Sequence, residues 1–129
     1  MKGAYLLVIE VSKPIKLKIG KLGVKEFPKG IYIYVGSAMN NLEKRIERHM
    51  RKNKKLFWHI DYLLSDSNVK IKEVYVKESE KKEECEIAKI ISKLGTPVLG
   101  FGSSDCKCNA HLFKLSANKL KEFARKNFK

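Results

Sequence analysis

Arg45 and His49 stand four residues apart, one helical turn, shortly after a strand that ends Tyr34-Val35-Gly36. These residue types suit a phosphodiester. A guanidinium can fork two phosphate oxygens, an imidazole can donate a further hydrogen bond or carry a proton, and a tyrosine hydroxyl can orient or deprotonate water. Gly36, Ser37 and Arg48 lie beside them in the chain and complete a candidate substrate-binding face. A charge run of this kind also reads, by itself, as a solvated basic helix face.

A second group lies further on. In a helix over 81–94, Ile87, Ile91 and Leu94 fall on one side at 100 degrees per residue. Glu84 falls on that side one turn earlier, and Glu86 points to solvent. A carboxylate on an apolar stripe is costly to bury unless it meets a cation, whereas at a first turn an acid is favoured by the helix dipole. Both readings of Glu84 stand on sequence. Cys106, Cys108 and His111 have soft-ligand chemistry for zinc, with Asp105 or His59 as a fourth arm. Structural zinc sites prefer Cys pairs two or more residues apart, so C-x-C followed by x-x-H is more often a turn with buried thiols. Ser103, Ser104 and Asp105 read as a substrate-facing loop, with capping as the alternative; His59 and Asp61 read as lining a cleft, and Trp58 as core.

The elements that must position these groups follow from periodicity. Gly3 to Val11 is an apolar run that reads as a buried strand, with Tyr5, Leu7, Ile9 and Val11 on one face. Ile15 to Ile19 alternates as a half-buried strand between turn signals at Pro14 and Gly20 to Gly23, and a hairpin partner follows. Ile31 to Val35 is a strand with Tyr32 and Tyr34 on the side opposite Ile31, Ile33 and Val35. From Asn40 the period turns helical. Leu42, Ile46, His49 and Met50 form its stripe, Asn40 and Glu43 resemble a capping box, and the helix fades near Asn53. A helix over 57–64, a strand over 69–77, the helix over 81–94 stopped by Gly95 and Pro97, a strand over 110–115 and a helix over 118–128 complete the pattern. The fold class is α+β: a small mixed or antiparallel central sheet flanked by helices, in a single domain spanning 1–129.

Charge narrows the partner. The 129 residues carry 28 Lys and Arg against 14 Asp and Glu, a formal net charge of +14, which makes a polyanion the expected partner. From Glu43 to Lys55 there are seven basic and two acidic residues, and from Lys114 to Lys129 six and one. Between Glu73 and Glu86 six Glu face three Lys. A Lys-rich surface of thermophilic type is the plain alternative. No Trp/Leu-rich amphipathic face suggests a membrane surface, no apolar run reaches spanning length, and the start of the chain lacks signal-peptide features. An odd number of Cys, three, argues for a reducing cytoplasm over a secreted disulfide framework.

The strand with Gly3-Ala4-Tyr5, the strand ending Tyr34-Val35-Gly36-Ser37-Ala38, the helix with Arg45-Ile46-Glu47-Arg48-His49 and the Glu84 helix together resemble the GIY-YIG nuclease superfamily. The literal Gly30-Ile31-Tyr32 is a decoy, because one intervening residue cannot let it pair with Tyr34-Val35-Gly36 as a neighbouring strand. With Tyr5 as the counterpart, 28 residues separate the two tyrosines. This spacing is wider than the family's usual one, and the extra hairpin accounts for it. Phe57-Trp58-His59-Ile60-Asp61-Tyr62 and Phe101 to Cys108 are similar to a largely archaeal branch that is sometimes joined to endonuclease III-type DNA glycosylases. The resemblance implies a GIY-YIG-like core with an added N-terminal hairpin and a C-terminal strand-helix extension. It implies a single Mg2+ or Mn2+ held by Glu84, Arg45 stabilising the phosphate, Tyr5 as general base or water-positioning group, and Tyr34 hydrogen-bonded to the phosphate or its water. His49 would be a second donor or proton carrier. The activity implied is endonucleolytic hydrolysis of DNA, or of RNA, by a monomer in repair or processing, with a glycosylase as partner or fusion. The alternatives are a non-catalytic nucleic-acid-binding module that keeps the phosphate clamp, and a zinc-bearing interaction domain.

Overall fold

The computed structural model describes residues 1–103 and 106–128, and the expectations for Ser104 and Asp105 lie outside the described residues. In chain order the elements are strands β1 (Gly3–Val11), β2 (Ile15–Lys18), β3 (Val24–Phe27) and β4 (Gly30–Ala38), and helices α1 (Leu42–Met50) and α2 (His59–Leu64). Then come strand β5 (Val69–Glu78), helix α3 (Glu84–Ile91), strands β6 (Thr96–Pro97) and β7 (Leu112–Lys114), and helix α4 (Ala117–Asn127). A single 3-10 turn, Gly20–Leu22, joins β2 to β3.

A five-stranded sheet, order β5-β1-β4-β7-β6, is antiparallel at every pairing, and β2 and β3 form a separate hairpin. The α+β class is as the sequence indicates. β1 sits inside the sheet and is buried along nearly its whole length, which explains why its apolar residues do not alternate with polar ones. Tyr5, Leu7, Ile9 and Val11 pack on one face with Leu42 of α1, Ile60, Leu63 and Leu64 of α2, and Phe27 of the hairpin. Ala4, Leu6 and Val8 pack on the other with Ile87, Ala88 and Ile91 of α3 and Leu120 and Phe123 of α4. The sheet therefore separates two apolar cores, each covered by a pair of helices.

Several expected boundaries shift. The cap of α1 is Asn41, whose side chain accepts from the Lys44 N–H, and Asn40 lies outside the helix. The helix ends at Met50, where the Lys54 ammonium donates to the carbonyls of Arg48 and His49, cationic capping that a dipole C-terminus favours. Met50 is 54% exposed and leaves the apolar stripe. α2 begins at His59 because the Asp61 carboxylate turns back to accept from the N–H groups of Phe57 and Trp58, which fixes them as a cap. α3 covers only 84–91; Gly95 ends the chain's descent from it and Thr96–Pro97 adds a short edge strand that the pattern of turn residues concealed.

Candidate functional site

The β1–β4 register brings the two tyrosines together. Tyr5 pairs with Gly36 and Leu7 with Tyr34, so Gly3-Ala4-Tyr5 is the strand neighbour of Tyr34-Val35-Gly36 and the Gly30-Ile31-Tyr32 segment is simply the start of β4. Their rings lie 6.5 Å apart between centroids. A Cβ on Gly36 would collide with Cζ and Oη of Tyr5, so this position accommodates the phenol only because it has no side chain.

A cleft of about 830 Å³ opens beside this pair. Tyr5, Tyr34, Gly36 and Ser37 of the sheet, Arg45 of α1, His59 of α2 and Glu84 of α3 all line it, with Trp58 and Lys82 at its walls. The sheet supplies a floor and three helices converge over it. Arg45 donates through Nη1 to the Ser37 carbonyl at 3.2 Å, and its guanidinium carbon lies 4.6 Å from the Trp58 ring centroid, which orients the charge while leaving other N–H groups free for a ligand. Ser37 Oγ is buried and has no hydrogen-bond partner among the described residues. Glu84 is half-buried in the first turn of α3 and also lines the cleft, a position compatible with either sequence reading. Glu86 is exposed, as expected.

His49 is placed differently from expectation. It is 2% exposed and does not line the cleft; it stands behind Tyr5, whose hydroxyl lies 2.7 Å from Nε2. Its stripe position, which made it look like an exposed donor beside Arg45, carries it under the sheet. Burial first, and then the Lys54 charge, depress its pKa to about 4, so the imidazole is neutral near pH 7. Burial pushes the Tyr5 hydroxyl up to about 12, against the pull of Arg45, and raises that of Tyr34 as well. Both phenols are protonated at neutral pH.

Arg48 is not a free phosphate ligand. Its fork closes on Asp61, with Nη1 and Nη2 each 2.9 Å from a carboxylate oxygen, and Nη2 also donates to the Lys55 carbonyl. Asp61 is fully buried and does not line the cleft as expected from sequence; despite the cost of burial, Arg48 and the two cap N–H groups keep its pKa below the usual carboxylate range. Lys52 is likewise engaged, donating to the carbonyls of Leu64, Asp66 and Val69. Four of the seven cations between Glu43 and Lys55, Arg45, Arg48, Lys52 and Lys54, thus donate to the protein's own carbonyls or carboxylate.

His59 lines the cleft but its Nδ1 accepts from the Gly102 N–H at 2.8 Å, so it is not the fourth arm of the thiol cluster. That arm is Cys85. The ligand atoms of Cys85, Cys106, Cys108 and His111 all lie within 4.8 Å of one another, a Cys₃His set able to hold a metal ion. The convergence adds a fourth donor from a distant helix to the expected turn, and the donors are zinc-like rather than suited to Mg2+ or Mn2+. Sequence reading missed Cys85 because 20 residues separate it from Cys106; a lone Cys in a Lys/Glu-rich segment was the available signal.

The family model for a domain of unknown function, DUF123, matches residues 4–129. The chain belongs to this DUF123 family. No curated protein matches the chain, and no solved structure does. DUF123 membership covers the cleft and the thiol cluster alike, without assigning either a role. Among the described residues no helix is long and apolar enough to cross a membrane.

Proposed function

We propose that this DUF123 protein is a metal-dependent endonuclease of GIY-YIG type that hydrolyses phosphodiester bonds in nucleic acid, DNA before RNA. The observation that carries the reading is the convergence of Tyr5, Tyr34, Arg45 and Glu84, from four separate elements, on one cleft. The formal charge of +14 supports a polyanionic substrate. Free thiols fit a reducing cytoplasm, and a glycosylase partner or fusion would supply lesion recognition.

The donor set fits a hydrated Mg2+ or Mn2+. Glu84 is the one carboxylate lining the cleft among the described residues, and Mg2+ commonly takes one or two carboxylates, several waters and a substrate phosphate. When bound, that ion neutralises charge developing on the phosphate and its leaving oxygen. Arg45 forks the phosphate oxygens, and the unpartnered Ser37 hydroxyl donates to one of them. Tyr34 orients the water. Tyr5 accepts the water's proton while passing its own to Nε2 of neutral His49, a transfer that needs no free phenolate and requires the Nδ1–H tautomer of His49.

A non-catalytic binding module is the second reading, favoured by the solitary carboxylate: Arg45 and Ser37 form a phosphate clamp that needs no Glu84. Purified protein with Mg2+ or Mn2+ and branched, single-stranded or lesion-bearing DNA and RNA separates the two. The nuclease reading expects nicks in one strand, lost in Glu84→Gln and Tyr5→Phe with binding retained. Binding without cleavage by the wild-type protein on every substrate leaves the binding module.

A further inference from the structure

We infer that Cys85, Cys106, Cys108 and His111 form a closed tetrahedral zinc site that fastens the first turn of α3 to the segment before β7. Each residue offers one ligand atom, all within 4.8 Å of one another, with Cys106 Sγ 3.2 Å and Cys85 Sγ 3.9 Å from His111 Nε2. Tetrahedral zinc, with Zn–S near ~2.3 Å and Zn–N near ~2.0 Å, sets its ligand atoms roughly 3.5–3.8 Å apart, so small side-chain adjustments close the site. Three thiolates and an imidazole select zinc over the hard cations. None of the three cysteines is in a disulfide.

The two sides of the site belong to different layers of the fold. His111 is held by the sheet: its N–H donates to the Phe101 carbonyl at 2.7 Å and its carbonyl accepts from the Val35 N–H of β4 at 2.9 Å. Cys85 belongs to a different layer, the second residue of α3, whose N-cap Glu83 makes no side-chain capping hydrogen bond. Glu83 pairs with Lys77 of β5 at 3.0 Å, and a metal bond would add a second cross-link, from the helix start to the segment around His111. Four protein ligands leave no open coordination position, so the ion is structural and performs no hydrolysis.

The position of Cys85 gives the site a functional consequence, which rests on the nuclease reading. Glu84 precedes Cys85 directly, and Cys85, Cys106 and His111 share the cleft wall with it. Zinc at the thiolates makes Glu84 a carboxylate on a fixed helix start, and Cys85 is then a positioning residue for it.

The test begins with untagged protein purified without chelator. Mass spectrometry of metal content is expected to give one zinc per chain, and cobalt added to the apoprotein to give the intense visible bands and thiolate charge transfer of tetrahedral coordination. Cys85→Ser is expected to weaken cobalt and zinc by more than the roughly 100-fold that loss of an outer-shell partner costs, while His59→Gln leaves the cobalt spectrum unchanged. Hydrogen exchange at Ile87 and Ala88 is expected to slow when zinc is restored. Absence of stoichiometric metal, an octahedral cobalt spectrum of the wild-type apoprotein, or a mass two hydrogens lighter from a Cys–Cys disulfide overturns the site; so does a Cys85→Ser protein that binds cobalt as tightly as wild type. Unchanged exchange at α3 overturns the positioning role. Because metal content, spectrum and exchange are read without substrate, they stand apart from failure of the cleavage assay.

Discussion

The phenol of Tyr5 lies over Gly36, its antiparallel partner, in space that a single methyl group would fill. The relationship joins backbone register to chemistry, since the same hydroxyl meets His49 at 2.7 Å and lines the cleft. Gly36→Ala is expected to cost about 1–3 kcal/mol by overpacking. On a Tyr5→Ala background the same substitution should cost at least about 1 kcal/mol less, because the collision partner is gone. Urea denaturation of the four proteins gives the coupling, and additive effects would contradict the contact.

Buried His49 makes stability depend on pH. Its folded pKa, about 4, lies below the 6.5 of an unperturbed imidazole, so the unfolded chain binds more protons between these limits. The contribution is therefore complete above pH 6.5 and is lost as pH falls toward 4, up to about 3 kcal/mol. His59 shifts in the same direction and shares in the fall. Thermal unfolding at pH 7.5 and pH 5 should show a smaller loss in His49→Gln than in the wild-type protein.

Arg45 and Arg48 are one turn face apart yet should respond to different assays. Arg48→Ala strands the carboxylate of Asp61 in the interior and is expected to cost about 3 kcal/mol of stability, with little change in the salt dependence of nucleic-acid binding. Arg45→Ala should leave stability nearly intact and reduce the log-log salt slope on duplex DNA by about 0.9, one phosphate contact. Fluorescence titrations at several salt concentrations, beside denaturation curves, distinguish the pair.

Lys52 belongs with Arg48. Its ammonium holds three carbonyls at the end of α2 and the start of β5, so Lys52→Met should destabilise the protein by about 2 kcal/mol. The salt slope should remain as in wild type. A fall of about 0.9 in that slope would instead mean that Lys52 reaches phosphate.

Much of the fold was legible because single strands and helices announce themselves by period. The apolar run of β1, the alternation of Tyr32 and Tyr34 with Ile31, Ile33 and Val35, and the Glu84 stripe each read correctly from local pattern. What sequence could not show were partnerships between distant segments. Arg48 looks like any exposed helical cation until Asp61, thirteen residues on, is seen to close its fork. His49 looks like a second phosphate donor until the register of β1 puts Tyr5 in front of it. Cys85 carries no local sign of its companions at all, since only tertiary packing brings α3 to the segment around His111. The two-residue β6 is too short to have a period.

The antiparallel sheet has a consequence for how the chain must be assembled. β1 precedes both strands that flank it, β4 and β5, so during synthesis one of its edges waits for residues 30–38 and the other for residues 69–78. Until then nine residues of nearly unbroken apolar strand have no partner, and both helical layers lack the surface they cover. Such sequence-distant pairings generally close more slowly than local contacts. A formal net charge of +14 on each finished chain sets copies of it repelling one another.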